Sequence, residues 1–166
     1  FKMMHPQSGR SKLKPIIATF VIALILSIIP LSEDLRFFRP DWVALCLIYW
    51  CIFLPNRIGV FSGWAVGLVT DEITGSLLGQ HALAFSVIAF ISIQLQHRTR
   101  HYPAWQQALN VLTLLILHRL LMHWILGITG FPPNTLLYML PAIIGALIWP
   151  LFANVMTNVR QRYSIR

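Results

Sequence analysis

Six apolar segments, separated by connections that hold almost all of the charge, constrain this chain more than any other feature. They run from Pro15 to Pro30, Asp41 to Leu54, Ile58 to Thr70, Ala82 to Leu95, Trp105 to Leu126 and Thr135 to Met156. The last two are long enough to cross a hydrocarbon core of ~30 Å at ~1.5 Å per helical residue. The second, third and fourth are nominally about 20 Å long, so they must extend into their flanks, thin the bilayer or be shielded by other protein. With 57% hydrophobic residues, 11% charged residues and a mean hydropathy of +0.68 in 166 residues, the composition predicts an all-α integral membrane protein with about six transmembrane helices. That length leaves no room for a soluble catalytic domain. The expected division is an amino-terminal cytoplasmic segment (1–14), a single membrane domain (15–156) and a basic cytoplasmic tail (157–166). Residues 1–9 are set aside from the fold argument. The basic start is followed by no small-residue cleavage site before the acidic loop, so no cleavable signal peptide is expected.

Charge placement sets the expected orientation. Lys2, Arg10, Lys12, Lys14, Arg57, Arg98, Arg100, Arg160, Arg162 and Arg166 all fall on one side of the alternating segments. The other side holds Arg36 and Arg39, beside Glu33, Asp34 and Asp41. Basic residues favour the cytoplasmic face, so both termini are predicted to be cytoplasmic. The net charge of +8 therefore serves membrane topology, and no nucleic-acid partner is expected. Trp42, Tyr102, Trp105 and Tyr163 lie near predicted boundaries, where aromatic belts form. Cys46 and Cys51 lie about 140° apart on one helix and read as small core residues, neither a disulfide nor a metal pair.

A row at four-residue spacing stands out within the apolar background: Gly59, Gly63, Gly67, Asp71, Gly75 and Gly79. Glycines at i and i+4 clear one helix face and let a second helix approach closely. Four residues overshoot the helical repeat by about 40°, so the row must wind around the helix or the helix must end near Asp71. The turn-forming residues from Thr70 to Gly79 favour an end. These glycines are the candidate helix-packing or partner-binding positions. Asp71 is an acid at or near membrane depth, where carboxylates face protein or water.

The fifth segment carries His118, Arg119, Met122 and His123. Arg119 and His123 share a face. Since the third segment runs toward the same side, Asp71, Glu72, Arg119 and His123 form a candidate intramembrane polar pair or pocket, with Arg119 expected to pair with Asp71 or Glu72. The plainer arrangement has Arg119 reaching outward to the interface while the histidines satisfy one another. Asn110, Thr113, Asn154 and Asn158 line a cavity toward the inner side, bond across helices or lie at the interface. Pro141 and Pro150 imply a kink or an early helix end in the last segment.

No zinc-binding H-E-x-x-H pattern, nucleophile elbow, P-loop or paired-carboxylate constellation is present, and no cofactor is expected. His118 and His123 are five residues apart, a poor fit to two zinc ligands on one helix face. Short, glycine-interrupted spans with an embedded acid also occur in transport proteins, so a small-solute or lipid-binding transport component is the alternative reading.

Several motifs resemble the rod shape-determining protein MreD family of Gram-negative bacteria. They are F-R-P-D-W (Phe38 to Trp42), L-P-N-R (Leu54 to Arg57), G-x-x-x-D-x-x-x-G-x-x-x-G (Gly67 to Gly79), A-W-Q-Q-A (Ala104 to Ala108) and the pair Trp149 and Pro150 before a basic tail. The resemblance extends from about Lys12 to Arg162, while Arg119 with its flanking histidines matches none of the family's motifs. It implies a six-helix fold similar to the substrate-capture subunits of vitamin transporters. It also implies a non-enzymatic scaffold of the cell-wall elongation machinery in the bacterial inner membrane. The implied partners are membrane lipid, an MreC-type bitopic protein and, indirectly, an MreB-type filament and a RodA-type glycosyltransferase with its transpeptidase.

Overall fold

Helix α2 (Trp42–Phe53) is apolar on every side, and that property decides the architecture. A helix without a polar face lies in a protein core or in lipid, and this one is too short to cross a bilayer unshielded. Every residue from Val43 to Ile52 is buried. The enclosing elements are α1 (Gly9–Ile28), α4 (Gln80–Thr99), α5 (Ala104–Ile128) and α6 (Leu140–Arg162), while α3 (Val60–Thr74) packs mainly on α4. Short 3-10 turns at Arg36–Phe38 and Leu136–Met139 lead into α2 and α6. This computed structural model describes residues 9–130 and 136–165, and all regular structure among them is helical. Lys2, Phe131 to Asn134, Thr135 (the expected start of the sixth segment) and Arg166 lie outside the described residues.

The six expected segments correspond to six helices with shifted ends. Helix α1 begins at Gly9 and α6 continues to Arg162, so helix extends into both expected cytoplasmic segments. Helix α6 runs through Pro150, and Pro141 sits in its first turn, where the missing N–H costs nothing. The early end considered for this segment does not occur. At 12 residues, α2 is only about 18 Å long and cannot span a hydrocarbon core alone. Its neighbours shield it from lipid. Among the described helices, Ala104–Ile128 and Leu136–Arg162 are long and apolar enough to cross a membrane.

Hydrogen bonds across helices tie α2 in place. Trp50 Nε1 donates to Thr19 Oγ1 at 3.0 Å, and Tyr49 shares a 2.9 Å bond with Thr157. The free thiols of Cys46 and Cys51 are buried in this core. Asn110 Nδ2 donates to Thr99 Oγ1 at 3.2 Å, a bond between α5 and α4, whereas Thr113 bonds within its own helix. The perimeter is the reverse of a soluble surface. Phe61, Trp124, Leu147 and Leu151 are all more than two-thirds exposed, so large apolar side chains cover the outside of the bundle.

The bundle has two chemically distinct ends. At one, α1, α3 and α5 begin and α2, α4 and α6 finish, with Lys12, Arg57, Arg98, Arg100, Arg160 and Arg162. The chain's five acids, Glu33, Asp34, Asp41, Asp71 and Glu72, lie at the other end with Arg36, Arg39 and Arg119.

Candidate functional site at the acidic end of the bundle

The four-spaced row builds the corner between α3 and α4, and its members do different jobs. At Gly67 the helices touch backbone to backbone: a Cβ there would lie 2.5 Å from the Ala82 nitrogen. At Gly63 it would lie 2.9 Å from the Phe85 carbonyl oxygen. The face cleared by these two glycines is thus occupied by α4 of the same chain. Gly59 precedes the first turn of α3 and meets Ile93 at an ordinary 3.7 Å. Gly75 and Gly79 belong to no packing seam, since nothing lies within 4 Å of a Cβ at either. Both have positive φ, +65° and +96°, which glycine adopts without strain. Gly75 ends α3 in the left-handed conformation, its N–H donating to the Asp71 carbonyl, and Gly79 turns the chain into α4.

Asp71 holds this corner shut. Its carboxylate is fully buried and accepts bonds from the backbone N–H groups of Gly79 and His81, each 2.9 Å away, and from Ser76 Oγ at 2.7 Å. Ala82 N–H adds a weaker contact at 3.4 Å. His81 Nδ1 lies 2.8 Å from the same carboxylate, where a proton on that nitrogen donates to it. Gly79 has no side chain with which to cap α4, so Asp71 satisfies the open N–H groups from the preceding helix. A negative group there also meets the positive end of the helix dipole.

Arg119 takes a different partner from the one expected. Its Nη2 donates to Asp41 Oδ1 at 2.7 Å, so the expected pair with Asp71 or Glu72 is replaced by one with Asp41. The cause is geometric. Asp71 is turned toward the start of α4, and Glu72 is exposed and makes no ion pair among the described residues. Asp41 immediately precedes α2, beside α5. Tyr138 stands between Arg119 and His123: the guanidinium lies 5.0 Å from its ring centre and the His123 ring 6.0 Å. His118 lies on the other side of the pair, stacked on Phe85 at 5.2 Å and with its Nδ1 3.6 Å from Asp41 Oδ2. His81 approaches His118 at 6.2 Å between ring centres and thereby links the two acids.

This cluster is incompletely satisfied. Asp41 Oδ2, both ring nitrogens of His118 and Arg119 Nε are buried without a hydrogen-bond partner. A cavity of about 120 Å³, lined by Asp41, Thr70, His81 and His118 among others, adjoins them. At ~30 Å³ per water it has room for a few molecules that would complete these bonds. A larger cavity of about 540 Å³ opens beyond Arg119, with Arg36, Arg39, Asp41 and Tyr138 in its walls. Sequence reasoning placed Arg119 and Asp71 toward the same side, and the structure has both at the acidic end of the bundle, but it missed the roles of Asp41 and Tyr138. The F-R-P-D-W run containing Asp41 was the available signal.

An enclosed apolar helix, an outside covered by large hydrophobic side chains and charged groups gathered toward the bundle's ends define the class: a helical membrane protein. Residues 11–159 match the model of the rod shape-determining protein MreD family. The rod shape-determining protein MreD of Haemophilus influenzae is 30% identical over 154 residues, covering 90% of this chain and 93% of that relative. The chain belongs to the rod shape-determining protein MreD family, and its role lies in determining rod shape. No solved structure matches it.

Proposed function

We propose that the chain is a non-enzymatic, multi-pass scaffold of the bacterial inner membrane that receives the membrane span of an MreC-type bitopic protein. Through that partner it couples an MreB-type filament to a RodA-type glycosyltransferase and its transpeptidase, and so to side-wall peptidoglycan synthesis. One observation carries the reading. Between α1 and α6 an apolar groove of about 320 Å³ opens to the side of the bundle and reaches α2 at Trp42 and Cys46. Ile22, Leu151 and Val155 line it and are more than half exposed. A groove of this kind suits a second helix, because helix association in lipid rests on close packing.

Clustering of cations at the end where α1 begins and α6 finishes supports cytoplasmic termini on either side of a membrane domain spanning 15–156. The six-helix count is compatible with the arrangement of vitamin-transporter capture subunits. The test is co-expression with the MreC-type protein and affinity recovery through this chain. Ile22→Trp and Leu151→Trp fill the groove without adding charge, while Phe90→Trp alters an exposed site on α4. Recovery should fall about tenfold for the groove variants and stay unchanged for Phe90→Trp. Equal recovery from folded groove variants would overturn the docking site.

A further inference from the structure

The basic end carries a cavity used neither by the groove nor by the acidic cluster. Its volume is about 960 Å³, and its walls come from the start of α1, the turn from α2 to α3 and the ends of α4 and α6. Four cations, Lys12, Arg57, Arg100 and Arg160, line it, and among the described residues no carboxylate does. All five aspartate and glutamate side chains lie at the opposite end. Two of the four are held in position. Arg100 Nη2 donates to the Ile52 carbonyl at 2.8 Å, satisfying the last turn of α2, and the Arg160 guanidinium sits 4.7 Å from the centre of the Phe53 ring. Each guanidinium has five N–H donors, so donors remain for a ligand. Lys12 and Arg57 make no ion pair among the described residues.

Setting membrane orientation requires only that positive residues lie near span ends; it does not require them to converge on one hollow. Like charges around a concave, low-dielectric wall focus a positive potential that only an anion relieves. We infer that this cavity binds a phosphate-bearing anion, the headgroup of an anionic membrane phospholipid. Phosphate oxygens match arginine N–H groups, which favours phosphate over a point anion. The apolar part of the wall, Phe53, Leu54 and Ile165, gives the glycerol and first methylenes of a lipid a surface that a free ion would leave bare.

The test uses the full chain purified in neutral detergent, with thermal unfolding followed while short-chain phosphatidylglycerol, phosphatidylcholine of equal chain length or inorganic phosphate is added. Phosphatidylglycerol should raise the unfolding temperature at saturation, and the other two should not. Lys12→Gln with Arg57→Gln, which leaves the bonds of Arg100 and Arg160 intact, should weaken phosphatidylglycerol binding about tenfold or more. Arg98→Gln with Arg162→Gln removes two charges at the same end but outside the cavity and should change binding less than about threefold. Should the first pair be unstable, Lys12→Gln alone should still weaken binding about fivefold. Equal loss from both pairs would overturn the site in favour of diffuse surface charge. Stabilisation by inorganic phosphate equal to that by the lipid would overturn the lipid assignment, and so would no preference for phosphatidylglycerol over phosphatidylcholine.

Discussion

Gly67→Ala adds one methyl group at the crossing of α3 and α4, and the surrounding atoms indicate what it costs. The new Cβ would lie 2.5 Å from the Ala82 nitrogen and 2.7 Å from the His81 carbonyl carbon, main-chain atoms that no rotamer change can move. Reaching normal contact requires the helices to part by about 1 Å. Overpacking of this kind costs ~1–3 kcal/mol. The same displacement stretches the 2.9 Å bonds from the Gly79 and His81 amides to Asp71 toward ~4 Å, beyond hydrogen-bonding range. Bonds to a charged acceptor contribute ~1.5–3 kcal/mol each, while alanine in a helix returns only about 1 kcal/mol of propensity. A net loss of at least about 3 kcal/mol is expected, the lower ends of these ranges taken together. Gly63→Ala, facing one carbonyl oxygen at 2.9 Å and the Ala89 methyl at 3.2 Å, should lose about 1 kcal/mol. Gly59→Ala, with its nearest contact at 3.7 Å, should stay within ~0.5 kcal/mol of the parent. Reversible unfolding of the three variants in mixed micelles would measure the series. Gly67→Ala as stable as Gly59→Ala would refute the backbone contact and the corner built on it.

The other predictions concern polar groups and the turn. Arg119→Met should destabilise by about 3 kcal/mol because it strands the Asp41 carboxylate, and combining it with Asp41→Leu should recover much of that loss in a double-mutant cycle. Asp71→Asn should cost about 2 kcal/mol in chemical unfolding, whereas Glu72→Gln, one residue away and exposed, should change stability by less than ~0.5 kcal/mol. Gly75→Ala should cost ~1 kcal/mol and Gly75→Asn less, since asparagine tolerates the left-handed region; thermal unfolding would rank them.

Depth along the bundle was legible in the sequence, and position around it was not. Alternating charge and apolar length placed Asp71 and Arg119 at one end. Several acids meet at that depth, however, and the packing order of the helices selects Asp41 as the partner of Arg119. Only tertiary structure supplies that order. The glycine row was similarly half legible. Regular spacing suggested one seam, but α3 ends at Thr74, so Gly63 and Gly67 fall in a helix contact while Gly75 and Gly79 serve the turn. The shortness of α2 was evident from Asp41 and Pro55. Its enclosure was not, because a run that is apolar throughout has no face to indicate which neighbours surround it.

The enclosure of α2 also bears on how the chain must be made. Helix α2 is too short to rest in a bilayer alone, and three of the helices that shelter it, α4, α5 and α6, are synthesised after it. Insertion therefore cannot proceed one stable span at a time. Nascent α2 must wait beside the insertion machinery until those helices arrive, and chains truncated before α6 leave Tyr49 without its partners Thr157 and Trp149. Quality control should recognise such chains as unfinished, so that α6 acts as the completion signal for α2.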